Sequence, residues 1–331
     1  MSRLIHIALL ALLMASGGAT AQQVADATYK PPLPRPAYES GKGPRVAIDE
    51  AHHNFHTAKG RYKPFAELLR RDGYRVDGLR QPFSAESLKD VNVLVISNAL
   101  HERNAEDWSL HGPSSFTKNE IAAVHSWVEK GGSLFLIVDH PPFPAAASDL
   151  AKAFGVEFSN GHATAGHWKE GTDTFEPGTG LKESIITRGR SDEEKVTKVA
   201  TYAGSAFKPP KAAIPVMEFG PKSISHERTA GEKEESKPRE VAIEGWCQGA
   251  VMKVGKGRVA VFGEAAMFSA QRMSSAIWHF DLPLGEGRMF RMVLIGPGPG
   301  RFGMNSPEGK QNHQLLLNVV HWLSRVKGMA D

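Results

Sequence analysis

A single cysteine, Cys247, stands in the whole chain, so no intramolecular disulfide can form. A chain of 331 residues needs none, because it can bury an adequate core. Charge of one sign is lacking too. The 40 Lys and Arg against 36 Asp and Glu leave a formal net charge of +4. That balance, without a basic stripe interleaved with aromatics, argues against a nucleic-acid binder. No Walker motif and no dinucleotide-type glycine loop follows a strand, so nucleotide binding has little support. A Gly-x-Ser-x-Gly elbow is missing, as is any internal repeat.

Long apolar runs are also scarce. One begins at Leu4 and ends at Ala15, broken by His6, after a basic start at Arg3. It is shorter than the ~20 residues of a spanning helix. Small residues follow and end in Ala19-Thr20-Ala21. This pattern predicts a secretory signal peptide over residues 1–21, cleaved after Ala21. The mature chain is then expected to be exported, to a bacterial periplasm or outside the cell, with no membrane span. About 310 residues would remain, 39 basic and 36 acidic, with a net charge of +3.

What is present is a run of apolar segments that stop in polar residues. Residues 22–44 carry five prolines and read as an extended lead-in. Val46–Asp49 is the first predicted strand. Phe65–Gly73 is an amphipathic helix closed by Gly73, and a second strand starts at Tyr74. Val91–Ser97 is almost wholly apolar, as a strand buried on both faces should be. Thr117 and Glu120 form a capping box for a helix to Lys130. Ser133–Val138 is the fourth strand, and Ala145–Phe154 a further helix. This order predicts a doubly wound, mainly parallel α/β sheet spanning residues 45–326. Residues 159–237 lose the pattern and read as an insertion, with short strands at Lys198–Tyr202 and Ile214–Phe219. Residues 232–239 read as a charged loop. A hairpin over residues 248–263 turns at Gly255-Lys256-Gly257. A Gly/Pro-rich loop at 296–303 and a final helix, Asn312–Val326, complete the chain.

Several segments resemble an uncharacterised bacterial exported family. They include Asp49-Glu50-x-His52-x-Asn54-Phe55-His56, Gly132-Ser133-Leu134, Asp139-His140-x-Pro142-Phe143, Gly204-Ser205-Ala206-Phe207, Gly263-Glu264-Ala265-Ala266-Met267-Phe268, Gly303-Met304-Asn305 and Asn318-Val319-x-His321-Trp322-Leu323. The fold of that family is similar to the class I glutamine amidotransferases and to trehalose-utilisation-type proteins. The resemblance covers nearly all of the mature chain and implies a flavodoxin-like fold. It implies no particular reaction. True amidotransferases carry a nucleophilic Cys after a central strand. Here the matching strand ends in Val138-Asp139-His140-Pro141, so glutamine hydrolysis by a Cys–His pair is not expected.

In open α/β sheets, ligands bind beyond the carboxyl ends of the strands. Asp49, Glu50, His52, His53, Asn54 and His56 follow the first strand. Asn98 and His101 follow the third, and Asp139 and His140 the fourth. Glu264 and Gln271 follow the hairpin, and Asn305 and Asn312 precede the last helix. Three readings compete. A polar pocket for a saccharide or polyol would use Asp49, Asn54, Asn98, Ser205, Gln271, Asn305 and Asn312 as hydrogen-bonding groups. Glu50, Asp139, His140 and Glu264 would then be the acid–base candidates. Alternatively, His52 and His56 with a carboxylate could hold Zn, Mn or Fe in a metal-dependent hydrolase. The third reading is a catalytically silent module that recognises a protein partner. Each residue also has a purely structural reading, such as an Asx turn for Asn54 or a helix cap for Asp139. His125, His279 and His321 read as structural. His162, His167 and Trp168 read as either a lid or a solvated loop.

Overall fold

A computed structural model describes residues 23–108, 112–166, 172–227, 238–273, 276–285, 288–296 and 300–329. The signal-peptide segment, His167, Trp168 and residues 232–237 lie outside them. Five strands form the parallel part of the central sheet: β1 (Arg45–Asp49), β2 (Arg75–Leu79), β3 (Val93–Ser97), β4 (Ser133–Ile137) and β5 (Gly257–Phe262). Their order across the sheet is β2-β1-β3-β4-β5. This is the 2-1-3-4-5 order of a flavodoxin-like sheet.

The alternation of side chains along each strand builds two cores. Val46, Ile48, Phe135 and Ile137 face helix α1 (Lys63–Arg71) and the last helix, α4 (Asn312–Leu323), packing against Phe65, Leu69, Leu316 and Trp322. Ala47, Leu94, Ile96, Leu134 and Leu136 face helices α2 (Lys118–Glu129) and α3 (Phe143–Ala153), meeting Val124, Val128 and Leu150. The capping box at Thr117 and Glu120 forms. Gly73 lies just past α1 with φ +96°, where a glycine meets the left-handed region without strain.

Beyond β5 the sheet becomes antiparallel. Cys247–Val254 pairs with β5, and Phe207–Lys208, Glu157–Phe158 and Ile214–Glu218 extend that side. Residues 207–218, read from sequence as part of an insertion, therefore complete the central sheet. The last helix stops at Leu323, because Ser324 leaves the helix and Arg325 takes φ +61°. Two further elements carry no clear periodic signal. Ala276–Gly285 and Arg288–Gly296 form an antiparallel hairpin. Gln23–Ala25 of the lead-in and Arg301–Gly303 of the Gly/Pro-rich stretch flank Ala270–Met273 in a small three-stranded sheet. The short edges of this small sheet depend on partners far away in sequence. Among the described residues no helix is long and apolar enough to cross a membrane.

Candidate functional site

The strand order reverses between β1 and β3, and the carboxyl ends of those parallel strands open there. Such a switch point is the usual ligand position in open α/β sheets. A cavity of about 290 Å3 lies at this edge. His56, Asn98, Asp139, His140 and Gln271 line it, and all five were legible as strand-end polar groups. Its apolar wall was not singled out from the sequence. Phe55, Trp108 and Phe143 form a mutual aromatic cluster, with centroids 5.0 Å apart for Phe55–Trp108 and for Trp108–Phe143. Trp108 is 37% exposed, which puts it at the mouth. An exposed Trp in a polar loop was the one available signal.

Asp139 is buried, two residues past the end of β4. Its backbone N–H donates to Asn98 Oδ1 at 2.9 Å, while one carboxylate oxygen accepts from the His140 backbone N–H at 2.8 Å. Burial pushes its carboxyl above the ordinary carboxylate range, against the nearby charge of His140. Glu264, after β5, is fully buried, and its pKa is raised well above normal by burial and then by the charge of Asp139. Two neighbouring buried carboxyls cannot both ionise cheaply, so each proton is harder to remove than from a free carboxyl. Glu264 accepts from the backbone N–H groups of Ala266 and Met267 at 2.6 and 2.8 Å, leaving Asp139 as the member that faces the cavity.

His56 is buried, and neither ring nitrogen has a partner. Burial, then the charge of Arg61, lowers its pKa to about 3, so the imidazole is neutral. Its ring packs on Tyr62 at 4.5 Å. Gln271 donates from Nε2 to Ser269 Oγ at 2.7 Å, and its Oε1 is buried without a partner. His140 stacks on His162 with centroids 4.7 Å apart and planes 16° apart.

The remaining candidates are placed elsewhere. Glu50 turns away from the cavity and accepts from the Ala58 N–H and Arg80 Nε, both at 3.0 Å. Asp49 accepts from His52 Nδ1 at 2.9 Å and from Asn54 Nδ2 at 2.9 Å. Asn54 Oδ1 in turn accepts from the His52 backbone N–H, so Asn54 organises the turn. His52 Nε2 meets Glu120 Oε1 at 2.8 Å. Both nitrogens of His52 are thereby taken up by carboxylates, and neither is open to a metal. Glu120, which the sequence marks only as a capping residue, closes this buried triad. His101 Nδ1 accepts from the Arg103 N–H. His53 is exposed. Among the described residues no three His, Cys, Asp or Glu gather as metal ligands.

Ser205 donates its hydroxyl to the Val138 carbonyl at 2.8 Å and is fully buried, tying two strand ends together. Asn305 donates to Asp26 and to the Gln271 carbonyl, and borders a different cleft. Asn312 is also internal. Its Oδ1 accepts from the Ala200 N–H, and its Nδ2 donates to the Ala200 and Met267 carbonyls. Asn312→Ala is expected to cost on the order of 3 kcal/mol, because three buried backbone groups lose their partner. Urea unfolding measures this, and an unchanged midpoint would contradict a structural role. Cys247 is buried, and burial pushes its thiol up to about 12, so it stays protonated and cannot act as a thiolate nucleophile.

No protein-family model matches the chain, and no curated protein sequence matches it. Solved structures do. The N-terminal domain of mmIFT52 is 14% identical, with a TM-score of 0.54, over 84% of this chain and 97% of that one. A thua-like protein from Bacteroides uniformis is 15% identical, with a TM-score of 0.45, over 86% and 94%. A cytoplasmic protein from Salmonella typhimurium is 15% identical, with a TM-score of 0.44, over 85% and 98%. The first of these likenesses shows a shared fold and nothing about activity.

Proposed function

We propose that the protein binds a small hydroxyl-rich ligand, a saccharide or polyol, in the cavity at the switch point. The observation that carries this reading is an aromatic wall set against polar atoms that lack partners. A neutral imidazole such as His56 offers one donor and one acceptor, and Gln271 Oε1 offers another acceptor. Asp139 adds a carboxyl that can donate when protonated. Phe55, Trp108 and Phe143 give apolar faces on which the C–H face of a sugar ring can pack. The cavity volume of about 290 Å3 sits at the small end of small-molecule sites, about 300–1,000 Å3. The predicted signal peptide would place this binding outside the cytoplasm.

A second reading, hydrolysis, is favoured by one observation. Asp139 borders the cavity, and burial raises its carboxyl above the ordinary carboxylate range. Such a carboxyl can act as a general acid toward a leaving oxygen.

Calorimetric titration with a panel of neutral mono- and disaccharides and polyols tests the proposal. Saturable binding is expected, and Trp108→Ala should weaken it by about 1 kcal/mol, roughly 5-fold, through loss of the aromatic face. No binding across the panel, or equal affinity in Trp108→Ala, would overturn the reading.

A further inference from the structure

A second cavity, open and of about 790 Å3, lies beside the small three-stranded sheet, between the lead-in and the loop before α4. Adjacent residues of a strand point to opposite faces. Phe302 lines the switch-point cavity, while Arg301 lines this cleft. Lys30 and Lys310 complete a ring of cations. All three are exposed, and none has an ionic partner among the described residues.

The local charge balance is poor. Arg301 stands directly across from Arg272 in the antiparallel pair. Like charges at opposed positions on one face repel. The carboxylate at hand is Asp26, and it is already engaged. It accepts from Thr28 N and Oγ1 and from Asn305 Nδ2, and it lies 3.6 Å from Arg272 Nε. Burial opposes its ionisation, but these hydrogen bonds lower its pKa below the ordinary value. Among the residues that line the cleft, one carboxylate, already paired with Arg272, stands against three cations. Asn305 Oδ1, whose amide orientation is fixed by its two donor bonds, is buried without a partner at the same cleft. It asks for a donor such as a hydroxyl.

We propose that this cleft binds a ligand with more than one acid group, an oxyanion-rich molecule such as an acidic oligosaccharide or a polyphosphate. Arg301, Lys30 and Lys310 contact the acid groups, and Arg272 contributes through the field it shares with Arg301. The site is separate from the switch-point cavity and does not depend on what that cavity takes. Binding should weaken as salt rises, since the cations are exposed.

The test titrates the full-length protein with trigalacturonate, with inorganic tripolyphosphate and with neutral maltotriose. Saturable binding of an acid is expected, weakened at least 10-fold in Arg301→Gln/Lys310→Gln and unchanged in the remote surface variant Lys63→Gln. Tighter binding of trigalacturonate than of tripolyphosphate identifies an acidic saccharide as the ligand class. The reverse identifies a phosphate-bearing one. No binding of either acid, equal binding in the double variant, or loss of maltotriose binding to the same extent would each overturn the proposal.

Discussion

His52→Ala is expected to destabilise the protein by about 3–5 kcal/mol, the cost of breaking a buried ionic arrangement and leaving its partners behind. The imidazole joins Asp49, at the end of β1, to Glu120, in the first turn of α2. Its side chain is 8% exposed, so solvent does little to screen the loss. Removing it leaves two carboxylates facing an empty space between two elements. The pH dependence follows from the shifts. Burial opposes protonation of His52, but hydrogen bonding and charge from Asp49, then from Glu120, raise its pKa above 6.5. That contribution is complete below 6.5 and is lost as pH rises through the raised folded value. Burial likewise opposes ionisation of Glu120, but bonds from Thr117 and His52 lower its pKa below 4.5. Its contribution is complete above 4.5 and is lost as pH falls through the lowered folded value. Both describe one shared interaction, complete between the unfolded values, 4.5 and 6.5. Chemical unfolding of wild type and His52→Ala across pH measures it. A variant within about 1 kcal/mol of wild type at neutral pH, or one with unchanged flanks, would refute this role.

Asp139→Asn is expected to leave the fold intact while weakening ligand binding on the order of 10- to 100-fold, the loss of a strong hydrogen bond to an ionisable group. Asn Oδ1 can still accept from the His140 N–H, and the Ala265 N–H it would lose is a long contact at 3.4 Å. Circular dichroism and the same titrations separate folding from binding. A second signature lies in stability. The folded pKa values of Asp139 and Glu264 are raised, so the folded state holds protons that the unfolded state releases. Stability is fullest below the unfolded values, 3.8 and 4.5, and declines as pH rises through the raised folded values. In Asp139→Asn, Glu264 no longer faces a second carboxylate, so the alkaline decline should be shallower. Undiminished binding in the variant would remove Asp139 from the site.

The two replacements separate what similar-looking residues do. Asp49 and Asp139 both stand at the carboxyl ends of buried strands, and both lie near a histidine in sequence. Only the tertiary contacts show that Asp49 is consumed by His52 and Asn54 while Asp139 borders a cavity beside Glu264. Glu50 and Ser205 make the same point. Their positions after strands are legible, but a side chain at a strand end can turn inward, sideways or outward, and packing decides which. Glu50 lies over Gly78, where a Cβ would fall within 2.3 Å of its carboxyl carbon.

Local patterning along the chain sets the apolar strands, the capped helix at Thr117 and the alternation of strands with helices, because burial on both faces and helix capping are requirements written in neighbouring residues. It also determined that polar groups crowd the carboxyl edge of the sheet, since each apolar run ends in them. The tertiary structure alone decided which of those groups meet. His52 finds Glu120, 68 residues away, and Asn312 finds Ala200, 112 residues away. It also decided that residues 23–25 and 301–303 pair around residues 270–273, and so divide one cavity from another. Such pairings rest on long-range backbone hydrogen bonds and charge proximity, which leave no periodic trace along the chain.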